Sequence, residues 1–213
     1  FKNNQPKYLW LCLILALSGA AIIDFTFIEP NMLVVANHSL TLGKLKEPVK
    51  IALFADIHAG PYVSQNFVRR VVKKTLAAKP DAVFIAGDFF FEDEFAKYQS
   101  YLEPLKELTK EIPTYAVLGN HEFGLNYGTQ LLYGDDIHLP VTERLTGLGI
   151  KVLSNQAQEL VIRGQKVTLV GANELWFINR LILERLSKLI DRADPNSAII
   201  VMAHNPDLIY ELA

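Results

Sequence analysis

The chain has 213 residues, of which 50% are hydrophobic, and its formal net charge is −2 at pH 7. This length predicts one domain with a large core, and the charge balance argues against an electrostatic nucleic-acid binder, so no nucleic-acid partner is expected. The single cysteine, Cys12, argues against a disulfide framework and a cysteine-based zinc site.

Residues 8–23 are almost wholly apolar, with lysines before them and Asp24 after them. This run is short for a membrane-spanning helix of about 20 residues, but it can be extended by Phe25, Phe27 and Ile28. We interpret residues 1–30 as a membrane anchor or signal segment. A membrane anchor is preferred; a signal peptide cleaved near residues 18–20 and a buried core helix are the alternatives. The flanking charges favour a domain outside the cytoplasm.

Residues 31–213 are expected to form one mixed α/β domain. Apolar runs predict strands at 31–40, 49–55, 82–86, 114–118, 150–153 and 198–203, with a hairpin at 159–162 and 166–170. Helical patterns occupy 64–78, 94–110 (with Pro104 as a kink), 141–147, 177–189 and 208–213. Alternating strands and helices predict parallel pairing in the first half, and the hairpin adds antiparallel pairing.

Polar residues directly follow four of these strands. The sequences are Asp56-Ile57-His58, Gly87-Asp88, Gly119-Asn120-His121-Glu122 and His204-Asn205-Pro206. If the chain stays extended, Asp56 and His58 point to the same side. Parallel strands deliver their ends to one edge of a sheet, where ligands bind in layered α/β folds.

The combination of carboxylate, amide and imidazole groups indicates a divalent transition metal. Two such ions, about 3.5–4 Å apart, would need a carboxylate that bridges them. Gly87 and Gly119 would allow the backbone to approach closely beside Asp88 and Asn120. An isolated Asp after a strand is usually a plain turn residue, so the prediction depends on the whole set.

In this order, the four blocks resemble the calcineurin-like metallophosphoesterases over residues 49–213. The membrane-proximal layout is similar to the bacterial membrane-associated branch, which includes UDP-2,3-diacylglucosamine pyrophosphatase-type proteins of lipid A biosynthesis. The resemblance implies a four-layer αββα sandwich with mixed sheets, preceded by one N-terminal apolar helix. It also implies a location at the bacterial inner membrane.

The resemblance implies two divalent ions (Mn, Fe or Zn) and five metal ligands, which are Asp56, His58, Asp88, Asn120 and His204. The first two would hold one ion, the last two the other, and Asp88 would bridge them. His121 would lie over the substrate phosphate and stabilise or protonate the leaving group. A metal-bridging hydroxide would attack phosphorus in line.

The implied activity is hydrolysis of a phosphoester or pyrophosphate bond in a small-molecule or lipid-linked substrate. The predicted anchor and an aromatic loop favour a lipid-linked or nucleotide-sugar-lipid phosphate. The aromatic run at residues 89–91 is expected to lie in the core, with an acyl-chain contact as the alternative. The chain departs from the family in one respect: no Gly-His-x-His block follows His204, and the only other histidines are His38 and His138. We expect a truncated C-terminus. The alternative is a catalytically inactive, membrane-tethered binding module of the same fold.

Overall fold

The computed structural model describes residues 5–91, 95–124, 135–175 and 180–212. They belong to two compact units, Phe1–Ser39 and Leu40–Ala213. The first unit begins with helix α1, Gln5–Ile23, and continues through a π-helical segment, Asp24–Ile28, and a 3-10 turn, Glu29–Asn31.

The apolar helical segment is longer than the sequence run suggested. Residues Tyr8–Asn31 form a 24-residue stretch with a mean hydropathy of 2.3, long and apolar enough to cross a membrane, and none of it is buried. This exposure argues against the core-helix alternative, and the choice between a membrane anchor and a signal segment stays a prediction. The strand predicted at residues 31–40 is also wrong, because residues 32–40 lie outside any strand or helix. A β-rich composition does not form a strand without a neighbour to pair with.

The first sheet of the second unit has four parallel strands in the order β1-β2-β3-β4. They are β1 Ile51–Phe54, β2 Ala82–Ala86, β3 Thr114–Val117 and β4 Lys151–Val152. β2 is buried along its whole length, whereas Leu53 of β1 is 66% exposed. β1 is thus an edge strand among the described residues, and the sequence-based expectation of a buried β1 is wrong.

Parallel neighbouring strands need a crossover connection between them, and helices provide it here. They are α2 Gln65–Ala77, α3 Phe95–Tyr98, α4 Lys106–Thr109 and α5 His138–Gly147. The helix predicted over 94–110 is broken by a 3-10 segment, Gln99–Leu105, that contains Pro104. Proline lacks an N–H donor and crowds the preceding turn, which explains the break.

The second sheet has three strands in the order β5-β6-β7, with an antiparallel β5–β6 pair and a parallel β6–β7 pair. They are β5 Gln156–Ile162, β6 Gln165–Gly171 and β7 Ala198–Met202. Two helices, α6 Arg180–Asp191 and α7 Leu208–Leu212, complete this half. The sequence predicted each of these elements to within a few residues.

Three apolar clusters define four layers. Along β2, side chains alternate between two of them: Val83 and Ile85 pack with α2 to α5, whereas Phe84 packs between the two sheets against Leu169. The third cluster joins Leu186 of α6 to the outer face of the second sheet. The order is helix, sheet, sheet, helix, so the predicted αββα sandwich is confirmed.

The two sheets approach each other closely at Gly171, which gives a test of the packing. A Cβ there would collide with the Leu153 Cβ and lie 3.1 Å from the Val117 Cγ1. We expect Gly171→Ala to lower the free energy of unfolding by about 1–3 kcal/mol, because tightly packed cores resist added volume. Urea denaturation measures this change.

Gly147→Ala is the matched control, because a Cβ at Gly147 would meet no atom within 4 Å. It should cause no destabilisation. Equal stability of the two variants would contradict close sheet packing at Gly171.

Candidate metal centre

The candidate centre lies where the chain leaves β1, β2 and β3 and where it leaves β7 of the facing sheet. The structure brings together all six predicted site residues, which are Asp56, His58, Asp88, Asn120, His121 and His204. The loops after β1 and β2 run side by side beyond the sheet. They are joined by the hydrogen bonds Asp56 N–H to Gly87 O (3.1 Å), His58 N–H to Asp88 O (3.0 Å) and Ala59 N–H to Phe89 O (2.8 Å).

The backbone is left-handed at three of the site residues. The φ angles are 55° at Asp56, 46° at His58 and 55° at Asp88. The expectation of an extended Asp56–His58 segment is therefore wrong, although the His58 Nε2 still lies 3.7 Å from the Asp56 Oδ1. Asp and His adopt this conformation more readily than most residues, and such strain is concentrated at functional sites.

Asp88 occupies the middle of the site and is 3% exposed. Its Oδ2 faces three imidazole nitrogens: the Nε2 atoms of His204 at 3.4 Å, His58 at 3.6 Å and His121 at 3.9 Å. These separations exceed those of good hydrogen bonds. Two ligands that each lie about 2.0–2.2 Å from one ion are separated by roughly 3–3.5 Å. The residues present therefore fit a divalent cation.

The ring of His204 is oriented for a cation. Its Nδ1–H donates to the Ala86 carbonyl at 2.8 Å, which leaves the Nε2 lone pair facing the Asn120 Oδ1 at 3.1 Å and the Asp88 Oδ2. Three acceptors that face one another require a proton or a cation between them. A backbone carbonyl that fixes the ring through its other nitrogen is typical of metal-binding histidines.

Protonation of the histidines depends on their surroundings. Burial lowers the pKa of His204, but the Asp88 carboxylate, the Ala86 carbonyl, Glu174 and Asp56 outweigh it, and the net shift is upward. Burial also lowers the pKa of His121; His58 and His204 lower it further, and Asp88 and Asp56 offset this only in part. His121 is accordingly neutral at pH 7 in the absence of a cation.

Ligand atoms fall into two groups that share Asp88. Within each group all atoms lie within 4.8 Å of one another: His58, Asp88 and His121 form one group, and Asp56, Asp88 and His204 form the other. Asn120 joins the second through His204. The His58 Nε2 also lies 3.7 Å from the Asp56 Oδ1, so these two residues are close enough to share one ion. Which residues hold which ion, and whether Asp88 bridges the two ions, remain predictions.

Two glycines make the site possible. Gly87 has a φ of 85°, and a Cβ there would lie 2.7 Å from the Gly119 N and 2.8 Å from the His204 Nδ1. A Cβ at Gly119 would overlap the Asp88 Oδ1. The backbone approaches its neighbours so closely at both positions that only glycine fits, as the sequence predicted.

Glu122 has a structural role beside the site, as expected of an acid that packs or caps next to the predicted ligands. It is completely buried, and its carboxylate accepts four backbone N–H groups, those of Asp88 (3.0 Å), Phe89 (2.8 Å), Phe90 (3.4 Å) and Gly119 (2.9 Å). Burial raises the pKa of Glu122 to about 7; the Asp88 carboxylate adds to this rise, and the backbone N–H groups oppose it. The only sequence signal was an acid three residues after Gly119.

An αββα sandwich with Asp, Asn and His side chains at its strand ends defines the metallophosphoesterase class. Residues 49–211 match the family model for calcineurin-like phosphoesterases, and the chain belongs to that family. The match covers both sheets and every predicted site residue. It confirms the family and the fold that the sequence motifs indicated.

Two curated relatives and one solved structure show the extent of the similarity. The chain is 28% identical to phosphodiesterase YaeI of Escherichia coli K12, over 85% of this chain and 62% of that protein. It is 26% identical to a transmembrane protein with metallophosphoesterase domain from Danio rerio, over 81% of this chain and 39% of that protein. The chain thus spans less than two thirds of these relatives.

The solved NAD nucleotidase NadN of Haemophilus influenzae has the same fold. Its TM-score is 0.51 at 16% identity, and the alignment covers 78% of this chain and 36% of that one.

Glu122→Gln tests the Glu122 brace, which consists of the four hydrogen bonds from backbone N–H groups to the Glu122 carboxylate. Glutamine has one acceptor oxygen and would direct an NH2 group at two of the four N–H donors. We expect the free energy of unfolding to fall by about 1–3 kcal/mol, because buried donors lose their acceptors. Retained manganese, measured by elemental analysis after dialysis, should also fall.

Glu103→Gln is the matched control, since Glu103 is a half-exposed partner of Arg144. It should change the free energy of unfolding by less than about 1 kcal/mol and leave manganese content unchanged. If the Glu122→Gln variant kept wild-type stability and metal content, the structural role proposed for the Glu122 brace would be contradicted.

Proposed function

We propose that this chain is a metal-dependent phosphohydrolase that cleaves a phosphoester or pyrophosphate bond. The observation that carries the proposal is the buried Asp88 carboxylate, which is faced by three imidazole Nε2 atoms at 3.4–3.9 Å. Asp56, His58, Asp88, Asn120 and His204 would hold two divalent ions, with manganese, iron or zinc all compatible with these ligands. Bound ions would lower the pKa of water and neutralise charge on the phosphoryl group.

The protein's own residues contribute position and charge. Asp88 lies in both ligand groups and supplies the shared carboxylate. The carbonyl of Ala86 fixes the His204 ring, and the N–H of His121 donates to the Asp88 Oδ1 at 3.2 Å. A neutral His121 can donate a ring N–H to the leaving-group oxygen, where negative charge develops in the transition state.

We further propose that residues 1–30 anchor the domain to the bacterial inner membrane, with the domain outside the cytoplasm. The exposed apolar segment Tyr8–Asn31 and a relative named as a transmembrane protein support the membrane anchor, and the lysines before the segment with Asp24 after it favour the orientation. An anchored domain would have access to a lipid-linked or nucleotide-sugar-lipid phosphate. Release of the protein from membranes by detergent but not by high salt would support an anchor rather than a cleaved signal peptide.

Hydrolysis of bis-p-nitrophenyl phosphate tests the activity. We expect turnover with added manganese and loss of turnover with EDTA. Asp88→Asn should reduce turnover by at least about 100-fold with the fold retained, because the shared ligand loses its charge. Circular dichroism checks the fold of the variant.

Asp191→Asn, at the exposed end of α6, is the matched control and should retain wild-type turnover. Wild-type turnover in Asp88→Asn would refute the shared-carboxylate mechanism. A wild-type protein with neither turnover nor bound metal would favour the inactive, membrane-tethered binding module.

His121→Ala separates catalysis from metal binding. We expect turnover to fall by about 10²–10⁴-fold, the usual contribution of a proton donor, while metal content stays at the wild-type level. His138→Ala, which changes another partly exposed histidine outside the centre, should leave both quantities unchanged. Loss of metal from His121→Ala would instead make His121 a ligand, as its place in the group with His58 allows.

A further inference from the structure

Two aromatic side chains, Phe91 and Tyr62, extend outward from the histidines of the centre, and we call them the aromatic wall. The Phe91 ring stacks on His121, with centroids 6.3 Å apart and planes at 27°, and lies 6.1 Å from His58 at 73°. Tyr62 contacts Phe91 edge to face, with centroids 5.7 Å apart and planes at 84°. The proposed mechanism gives these two residues no role.

The backbone holds this wall in place. Phe91 N–H donates to the Ala59 carbonyl at 3.2 Å, next to an isolated bridge between Ala59 and Phe90. A Cβ at Gly60 would lie 3.1 Å from the Phe91 Cβ, so the absence of a side chain there leaves room for Phe91. Gly60 N–H donates to the Val63 carbonyl at 3.2 Å and closes the turn that presents Tyr62.

The outer end of the wall is an exposed ring. Tyr62 is 83% exposed, although its neighbour Phe91 contacts both His58 and His121. The two rings are nearly perpendicular, so a planar group that stacked on the exposed Tyr62 ring would also lie nearly perpendicular to the Phe91 ring. Aromatic rings favour these two arrangements, and an alkyl chain gains neither.

We infer that the aromatic wall binds a planar aromatic substituent of the phosphate ester, such as an aryl group or a nucleobase. This inference rests on the proposed function, because the wall acts on a ligand whose phosphate occupies the metal centre. Tyr62 is then a specificity-determining residue, and Phe91 both supports Tyr62 and holds the His121 ring.

Titration calorimetry with the manganese-loaded protein tests the inference at equilibrium, without turnover. The probes are phenylphosphonate and hexylphosphonate, which carry the same number of carbon atoms in planar and flexible form. We expect Tyr62→Ala to weaken phenylphosphonate binding about tenfold, as expected for loss of one stacking partner. Hexylphosphonate binding should change less than about twofold, since a flexible chain gains no stacking.

Two control variants accompany the test. Tyr62→Phe keeps the ring and should retain wild-type affinity for both phosphonates. Tyr210→Ala removes an equally exposed tyrosine from α7 and should change neither affinity. Equal losses for both phosphonates in Tyr62→Ala, or no loss, would overturn the inference; a larger loss for hexylphosphonate would assign the wall to an alkyl chain.

Inorganic phosphate distinguishes failure of this inference from failure of the proposed function. Phosphate binding that requires manganese, together with phosphonate affinities that are insensitive to Tyr62→Ala, would overturn the aromatic wall alone. No phosphate binding and no retained manganese in the wild-type protein would overturn both.

Discussion

The candidate centre depends on a buried carboxylate that does not face the ligand groups. Glu122 accepts N–H groups from three consecutive residues after β2 and from Gly119 after β3. In return, the Asp88 Oδ1 accepts the N–H of His121. Two carboxylates from neighbouring loops therefore brace one another's backbones. This arrangement fixes the positions of the proposed metal-binding side chains before an ion or a substrate binds. Electrostatic catalysis requires preorganisation of this kind.

This brace has a cost in free energy. Glu122 is completely buried close to the Asp88 carboxylate, and both effects raise its pKa, to about 7. The left-handed backbone at Asp56, His58 and Asp88 adds strain, which the surrounding hydrogen bonds must offset. A cation at Asp88 would reduce the repulsion between the two carboxylates. The proposed ions would relieve this unfavourable electrostatic interaction, and metal binding would then be coupled to the stability of the fold.

The sequence was most informative where an apolar strand ended in a polar block. It predicted β2 without error, the αββα class, and the meeting of six side chains from four strands. It could not show that Asp56 and His58 turn into left-handed geometry, because this conformation is imposed by hydrogen bonds to the loop after β2. Nor could it show that β1 lies at an edge, or that Glu122 binds four N–H groups. Those features depend on neighbours distant in sequence. The same is true of the strand predicted at residues 31–40, whose composition was suitable but which pairs with no strand among the described residues.

Burial across the centre indicates how a substrate approaches it. The Asp88 side chain is almost inaccessible, those of His204, His121 and His58 are partly covered, and that of Asp56 is 57% exposed. Among the described residues, the Asp56 side is therefore the accessible side of the centre, and the proposed phosphate would approach from there. Phe91 borders His58 and His121, and Tyr62 continues outward from Phe91. The fold fixes the ligand atoms at the strand ends, whereas the residues that can distinguish one ester from another lie on the loops beyond them. A change at Tyr62 would therefore alter the proposed preference among esters and leave the Glu122 brace intact.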